Sequence, residues 1–321
     1  MTGGAGYVGA VLVPQLLSEG HKITVLDLMM YGQNVLQKNK NLQIIKGDIR
    51  DKELLRKTIS GHDSLIHLAC ISNDPSFELN PKLGKSINLD SFRPLVEVSR
   101  ESGIKRFIYA SSSSVYGVKK EKKVHENMSL EPLTDYSKYK AECEEIISEY
   151  ISDEFTTVTI RPATVCGFSP RQRLDVVVNI LTNLAFHKRE ITVFGGDQLR
   201  PNIHIKDMAE AYSLLLKAPK DKVIGKVFNA GFENQTVSEL AEIVKEIIGK
   251  DVNLVKSETD DNRSYHISSA KFKKELGFKT MFTVADAVKE LKHAFLNNLL
   301  KDPLTNEMYS NIKRMQSLNL K

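Results

Sequence analysis

The sequence predicts a doubly wound parallel α/β sheet, without its usual first strand, followed by a smaller mixed α/β unit. Short β-branched apolar runs alternate with amphipathic helical stretches through the first half of the 321 residues. A glycine-rich turn, Gly3-Gly4-Ala5-Gly6-Tyr7-Val8-Gly9, opens the chain. A Tyr136-Ser137-Lys138-Tyr139-Lys140 run follows a serine cluster, Ser111 to Ser114.

Residues 23–26, 42–45, 64–68, 106–110 and 157–160 read as strands, each a short apolar run between turn formers. Residues 8–19, 51–59, 87–102 and 137–151 read as the helices between them. Such alternation implies right-handed crossovers, hence parallel strands with helices on both faces. After Gly167 the pattern changes. Residues 174–187 read as a helix and 191–194 as a short strand before Gly195-Gly196. In 238–248 the apolar residues Leu240, Ile243, Val244, Ile247 and Ile248 keep the helical period, with Gly249 at the stop. We expect a cofactor domain over 1–167 and a substrate domain over 168–321, with segments around 200–231, including 227–230, returning to the first sheet.

One strand is missing. Met1-Thr2-Gly3 stands where about five or six apolar residues normally precede a glycine turn. That strand is central in a doubly wound sheet, so its loss exposes the edges of two neighbours. We expect a start assigned too late or a truncated chain, with weaker folding and cofactor binding than when the strand is restored.

Composition narrows the classes. The net charge of +5 is mild, and Lys119-Lys120 with Lys122-Lys123 reads as a solvated loop rather than a nucleic-acid arm. A small positive excess suits a phosphate-bearing substrate. Cys70, Cys143 and Cys166 are far apart and form no C-x-x-C pair, which argues against a disulfide framework or a metal site and for a reducing, cytoplasmic setting. No apolar run reaches membrane-spanning length, and no signal peptide is visible.

Gly3, Gly6 and Gly9 permit a tight turn and close backbone approach to a pyrophosphate, while the helix starting near Tyr7 and Val8 points its free N–H groups at the phosphates. Asp27 ends the next strand, where a carboxylate accepts from adenosine ribose hydroxyls and repels a 2′-phosphate, so NAD is expected rather than NADP. Asp48 reads equally as an acceptor for the adenine amino group, with Ile49 against the ring, or as part of the next helix start.

Tyr-x-x-x-Lys occurs at Tyr116/Lys120, Tyr136/Lys140 and Tyr309/Lys313. Only Tyr136 opens a convincing helix, where residues four apart share a face. A free phenol titrates near pH ~10, so a base at neutral pH needs nearby positive charge, which Lys140 and an oxidised nicotinamide supply. Tyr136 then takes a proton from a substrate hydroxyl, and a serine at the strand's carboxyl end orients the reacting oxygen.

These motifs together resemble the extended short-chain dehydrogenase/reductase family, and within it the NAD-dependent epimerase/dehydratase group acting on nucleotide sugars. The resemblance implies a Rossmann-like cofactor domain and covers nearly the whole chain. His67-Leu68-Ala69-Cys70 is similar to the family's turn along the cofactor, which places Leu68 and Ala69 there. Asn88 matches a structural asparagine, and the segment from Arg161 to Gly167, with Pro162, matches the one lining the nicotinamide. Counting back from Tyr116 and Gly117, the resemblance makes Ser112 the catalytic serine. The sugar 4,6-dehydratases carry Asp-Glu next; here Ser113 and Ser114 stand there, which argues against water elimination and leaves Ser113 for substrate. Arg200 and Arg263 resemble arginines that meet the substrate diphosphate, and Arg173, in the 169–175 segment, is expected to shape the sugar or nucleotide pocket. The family also implies a homodimer through the helices at 87–102 and 137–151, with Phe92, Val96, Cys143 and Ile147 as an apolar seam.

The sequence therefore points to an NAD-dependent enzyme acting at a sugar hydroxyl, most plausibly C4, of a nucleoside-diphosphate sugar. It acts as an epimerase, or as a dehydrogenase or ketosugar reductase with net redox. A non-catalytic dinucleotide sensor has no need of the Tyr136/Lys140 pair. A reductase of a non-nucleotide ketone has no need of Arg200 and Arg263.

Overall fold

A computed structural model describes residues 1–121, 123–259, 264, 266–318 and 320. The first half runs α1 (Gly9–Ser18), β1 (Ile23–Asp27), β2 (Leu42–Lys46), α2 (Lys52–Ile59), β3 (Ser64–His67), α3 (Asp74–Glu78), α4 (Pro81–Lys85), α5 (Phe92–Glu101), β4 (Arg106–Ala110), α6 (Asp135–Ser148) and β5 (Thr156–Pro162). The second half runs β6 (Thr164–Cys166), α7 (Val177–Lys188), β7 (Glu190–Phe194), β8 (Leu199–His204), α8 (Ile205–Lys217), α9 (Lys220–Val223), β9 (Lys226–Ala230), β10 (Glu233–Thr236), α10 (Val237–Ile248), β11 (Asn253–Ser257), α11 (Ala270–Leu276), α12 (Val284–Leu296) and α13 (Asn311–Leu318).

The main sheet is parallel. β1 pairs with β2 (Val25 opposite Ile44), and β3, β4, β5 and β9 pair in that order, with Ile108 opposite Val158 and Ile160 opposite Phe228. β9 is the expected returning segment. Val25, Ile108, Ile160 and Phe228 are almost wholly buried, as strands covered on both faces must be. β6, β8 and β10 form a small sheet, and β7 pairs parallel with β11; α7, α10 and α12 share a separate core with β7. α10 is set by its ends: Thr236 and Glu239 make a capping box, and Gly249 closes it. Among the described residues, no helix is long and apolar enough to cross a membrane.

Met1 and Thr2 lie between β1 and β3: Thr2 N–H donates to Ile66 O (3.1 Å), and the amides of Leu26 and Leu68 donate to Met1 O (2.9 Å) and Thr2 O (3.0 Å). Thr2 bridges Leu26 and His67 in parallel, so the residues just before the glycine turn join β1 to β3.

One expectation fails. Phe92, Val96 and Cys143 are fully buried and Ile147 is 2% exposed, all inside the core that also holds Phe107 and Phe155. They fill the space between α5, α6 and the sheet, so they form no seam between copies. The amphipathic face of α5 serves the chain's own core.

Candidate active site

The carboxyl ends of β1, β3, β4 and β5 open onto a cavity of about 330 Å³. Its floor is the glycine turn. Gly3 holds φ +73°, and a Cβ there would lie 2.5 Å from the Ala69 nitrogen; one on Gly9 would lie 2.4 Å from Gly4 O. Only glycine lets this turn pack so close to the β3 loop and to the start of α1. Gly3, Gly6, Tyr7, Val8 and Gly9 all line the cavity. Tyr7 anchors the turn to the second half, its hydroxyl donating to Gly167 O (2.6 Å) and accepting from Asn179 Nδ2 (2.9 Å).

Asp27 stands at the end of β1 and lines the cavity, accepting from the amides of Ala5 (3.0 Å) and Met29 (2.8 Å). Burial raises its pKa, and those two hydrogen bonds only partly oppose the shift. Asp48 and Ile49 line the same end. Arg50 holds Asp48 at 2.7 Å; burial pushes the carboxyl up, and Arg50 more than offsets it, leaving the pKa below its ordinary value. The helix cap is Asp51, whose side chain accepts from Leu54 N–H, so Asp48 is not needed there. Leu68 and Ala69 line the wall, while His67 points into the core, where its Nδ1 lies 2.7 Å from Thr2 Oγ1 and burial drops its pKa to about 3. Asn88 clamps the loop after β3, accepting from Ile71 N–H (2.8 Å) and donating to Ile71 O (2.9 Å).

Ser112, Tyr136 and Lys140 meet in this cavity. Thr134 caps α6 in a capping box with Ser137, which fixes Tyr136 in the first turn and Lys140 one turn on. Ser112 caps the short 3₁₀ turn Ser113–Tyr116, its Oγ 2.8 Å from Ser114 Oγ. Lys140 Nζ donates to Ala110 O (2.6 Å) and sits 5.9 Å from the Tyr136 ring centre. Burial raises the Tyr136 phenol well above its ordinary value, Cys70 and Asp74 push the same way, and Arg173 with a Ser112 hydrogen bond opposes them. The other two Tyr-x-x-x-Lys pairs lie elsewhere: Tyr116 is buried against Arg161 and Asn229, and Tyr309 accepts through its carbonyl from Leu174 N–H (2.8 Å).

Pro162 and Ser113 line the cavity as expected, and so does Arg173, bound to Asp175 (2.9 Å) and Ser72 (3.3 Å). Arg200 is on β8, where its Nη1 donates to Leu199 O, and is not among the lining residues. Arg263 lies outside the described residues. Sequence reasoning passed over Arg171, which lines the cavity, is 3% exposed and stacks 3.4 Å from the Tyr31 ring centre. Its presence in the two-arginine 169–175 segment was the available signal. Asn311 and Met315, on α13, also line the cavity; nothing local in the tail announces them.

Residues 1–231 match the NAD dependent epimerase/dehydratase family. The chain belongs to that family. A UDP-glucose 4-epimerase of Cyamopsis tetragonoloba is 29% identical, over 90% of this chain and 92% of its own length. A UDP-glucose 4-epimerase from Thermotoga maritima, solved with UDP-glucose, is 25% identical and superposes with a TM-score of 0.83 over 93% of this chain and 98% of its own. DesIV, a dTDP-glucose 4,6-dehydratase from Streptomyces venezuelae solved with NAD, shares the fold at TM-score 0.85 and 22% identity, over 95% of this chain and 98% of its own. The protein is an NAD-dependent enzyme with the doubly wound architecture the sequence predicts. The glycine cradle, the carboxylate of Asp27 and the apolar wall at Ile49 and Leu68 fit the dinucleotide: close backbone for phosphate, an acceptor for ribose, an apolar face for a base.

Proposed function

We propose that this chain is an epimerase that oxidises and re-reduces a hydroxyl-bearing carbon, C4, of a nucleoside-diphosphate sugar. The carrying observation is the meeting of Ser112, Tyr136 and Lys140 in one cavity with the glycine turn and Asp27. Bound there, NAD would supply a hydride acceptor that can return the hydride to the opposite face of that carbon, which inverts it. Tyr136 takes the hydroxyl proton and later gives it back, Ser112 orients the oxygen, and Lys140 stands beside Tyr136 where it can hold the nicotinamide ribose. Ser113 and Ser114 leave no carboxylate immediately after Ser112, which disfavours water elimination. The 29% identical relative is itself named a 4-epimerase. In this reading Ser113 serves the sugar, and Arg200 and Arg263 are assigned to its diphosphate.

The second reading is a 4-dehydrogenase or ketosugar reductase. NAD stoichiometry separates them. With UDP-, dTDP-, GDP- and CDP-sugars offered, the epimerase turns over many substrate molecules per NAD without net absorbance at 340 nm. One NADH released per sugar would replace it with the dehydrogenase. A thermal-shift screen of UDP, GDP, CDP and dTDP with NAD present selects the nucleotide.

We further read residues 1–167 as the cofactor domain and 168–321 as the substrate domain, with 200–231 shared. The enzyme is read as a cytoplasmic homodimer. α5 and α6 remain adjacent, with Pro94, Tyr139 and Ile146 half-buried on them, and sedimentation velocity tests whether a second copy covers that side.

A further inference from the structure

Arg171 and Arg173 project into the cavity from the loop before α7, and both are at least nine-tenths buried. Among the described residues, Arg171 Nε and Nη1 and Arg173 Nη2 are buried with no hydrogen-bond partner. A buried guanidinium N–H without an acceptor is costly, and two such groups side by side repel each other. Burial lowers the pKa of Arg171 to about 10, with Arg173 adding to the effect, so the arrangement favours an anion between them. Asp175 partners Arg173 but not Arg171.

The position of Arg171 identifies that anion. Its guanidinium lies flat on Tyr31, just past Asp27 on the cofactor side, and it interacts electrostatically with Asp27 and Tyr7. The tail fixes it there. Arg171 Nη2 donates to Asn311 Oδ1, and Asn311 Nδ2 donates to Ser72 Oγ (2.8 Å), while Asn311 N–H donates to Asp175 Oδ2 (2.6 Å). Arg314, on the same helix, donates through Nε to Met30 O (2.6 Å). α13 is thereby pinned across the cavity mouth to the β1 loop, the β3 loop and the 169–175 segment.

We propose that Arg171 and Arg173 grip the cofactor's diphosphate from the side opposite the glycine turn, and that α13 is a strap whose Asn311 positions Arg171. The pair satisfies its orphan N–H groups on phosphate oxygens, for which a fork of N–H donors is well shaped. The proposal rests on the NAD-dependent reading of the cavity. A diphosphate also occurs in a nucleotide-sugar substrate, so the test separates the two sources.

The probes are ADP-ribose, which carries the diphosphate, adenosine, which does not, and UDP. Each is titrated calorimetrically against the full chain freed of nucleotide. For Arg171→Gln, ADP-ribose affinity should fall about tenfold or more with adenosine and UDP nearly unchanged. Asn311→Ala should show a smaller loss of the same pattern, and both variants should retain less NAD through purification, measured by acid release. Arg171→Lys, which keeps the charge but loses the fork, should fall between wild type and Arg171→Gln. Unchanged ADP-ribose affinity in Arg171→Gln overturns the assignment, as does an equal loss for adenosine. Loss confined to UDP gives the pair to the substrate instead. Should Arg171→Gln not fold, Asn311→Ala decides alone, and wild-type affinity for ADP-ribose there overturns the strap. Wild-type protein that binds UDP but not ADP-ribose would overturn the cofactor reading itself.

Discussion

Tyr136→Phe is expected to cut turnover by about 10²- to 10⁴-fold, the usual reach of a positioned acid–base group, while NAD binds as before. The aromatic ring stays, so its packing against the core cluster that holds Phe77 is undisturbed. Only the proton-transfer atom is lost. The pH dependence gives the sign. Burial holds Tyr136 well above its ordinary pKa, so through the neutral range the phenol is protonated and the phenolate is scarce. Oxidation of a hydroxyl needs the phenolate, so kcat/KM in that direction should climb as pH rises through neutrality. The phenylalanine variant should lose that climb. Lys140 Nζ donates to Ala110 O and lies 5.9 Å from the Tyr136 ring centre, so its charge adds to that of an oxidised nicotinamide in favouring the phenolate. Lys140→Met should therefore weaken NAD binding as well as turnover, where Tyr136→Phe spares binding. A Tyr136→Phe enzyme with full turnover and an unaltered pH profile would remove the catalytic assignment.

The parts of the fold legible in the sequence are those set by local chemistry. β1 and β4 are apolar runs bounded by turn formers, and α10 carries its own capping box and periodicity. That the glycine turn, Asp27, Ser112 and Tyr136 meet at one cavity could be read because their placement depends on spacing along one or two elements. What escaped depends on partners far away in the chain. The helix expected from 174 begins instead at Val177, because Leu174 N–H donates to Tyr309 O (2.8 Å) and Asp175 is held by Arg173 and Asn311. Arg171 and Asn311 are 140 residues apart, and neither signals the other. The apolar stripe of α5 was visible, but periodicity alone does not say whether a stripe faces the chain's own sheet or a second copy. The burial of Tyr136 and its neighbours Cys70 and Asp74 come from the tertiary structure and have no local signal along α6.

Arg161→Ala is expected to destabilise the protein by about 3–5 kcal/mol, lowering the melting temperature by roughly 4–7 °C. Arg161 and Glu144 form a buried ion pair, their side chains 5% and 8% exposed, with Nη2 to Oε2 at 2.6 Å. Arg161 Nη1 donates to the Tyr116 hydroxyl (2.7 Å), and Ser111 Oγ donates to Glu144. Burial works against the guanidinium's charge, and Glu144 with Tyr116 more than restores it. Deleting Arg161 strands the Glu144 charge in the core, which is the expensive event. Replacing both partners by apolar residues, Arg161→Met with Glu144→Leu, should recover most of the lost stability, since a buried pair often does little better than a hydrophobic one. Turnover should not recover with it. Arg161 is the residue before Pro162, Ser111 is the residue before Ser112, and Glu144 lies one turn beyond Lys140 on α6, so this pair ties together the β4 end, the β5 end and the helix that frame the reacting groups. Apolar side chains fill the volume but give Ser111 no acceptor and Tyr116 no donor, so the serine loop loses its fixed orientation. A double variant restored in melting temperature yet still slow, with NAD affinity intact, is the outcome that assigns the pair to positioning. A double variant restored in both would reduce it to an element of stability.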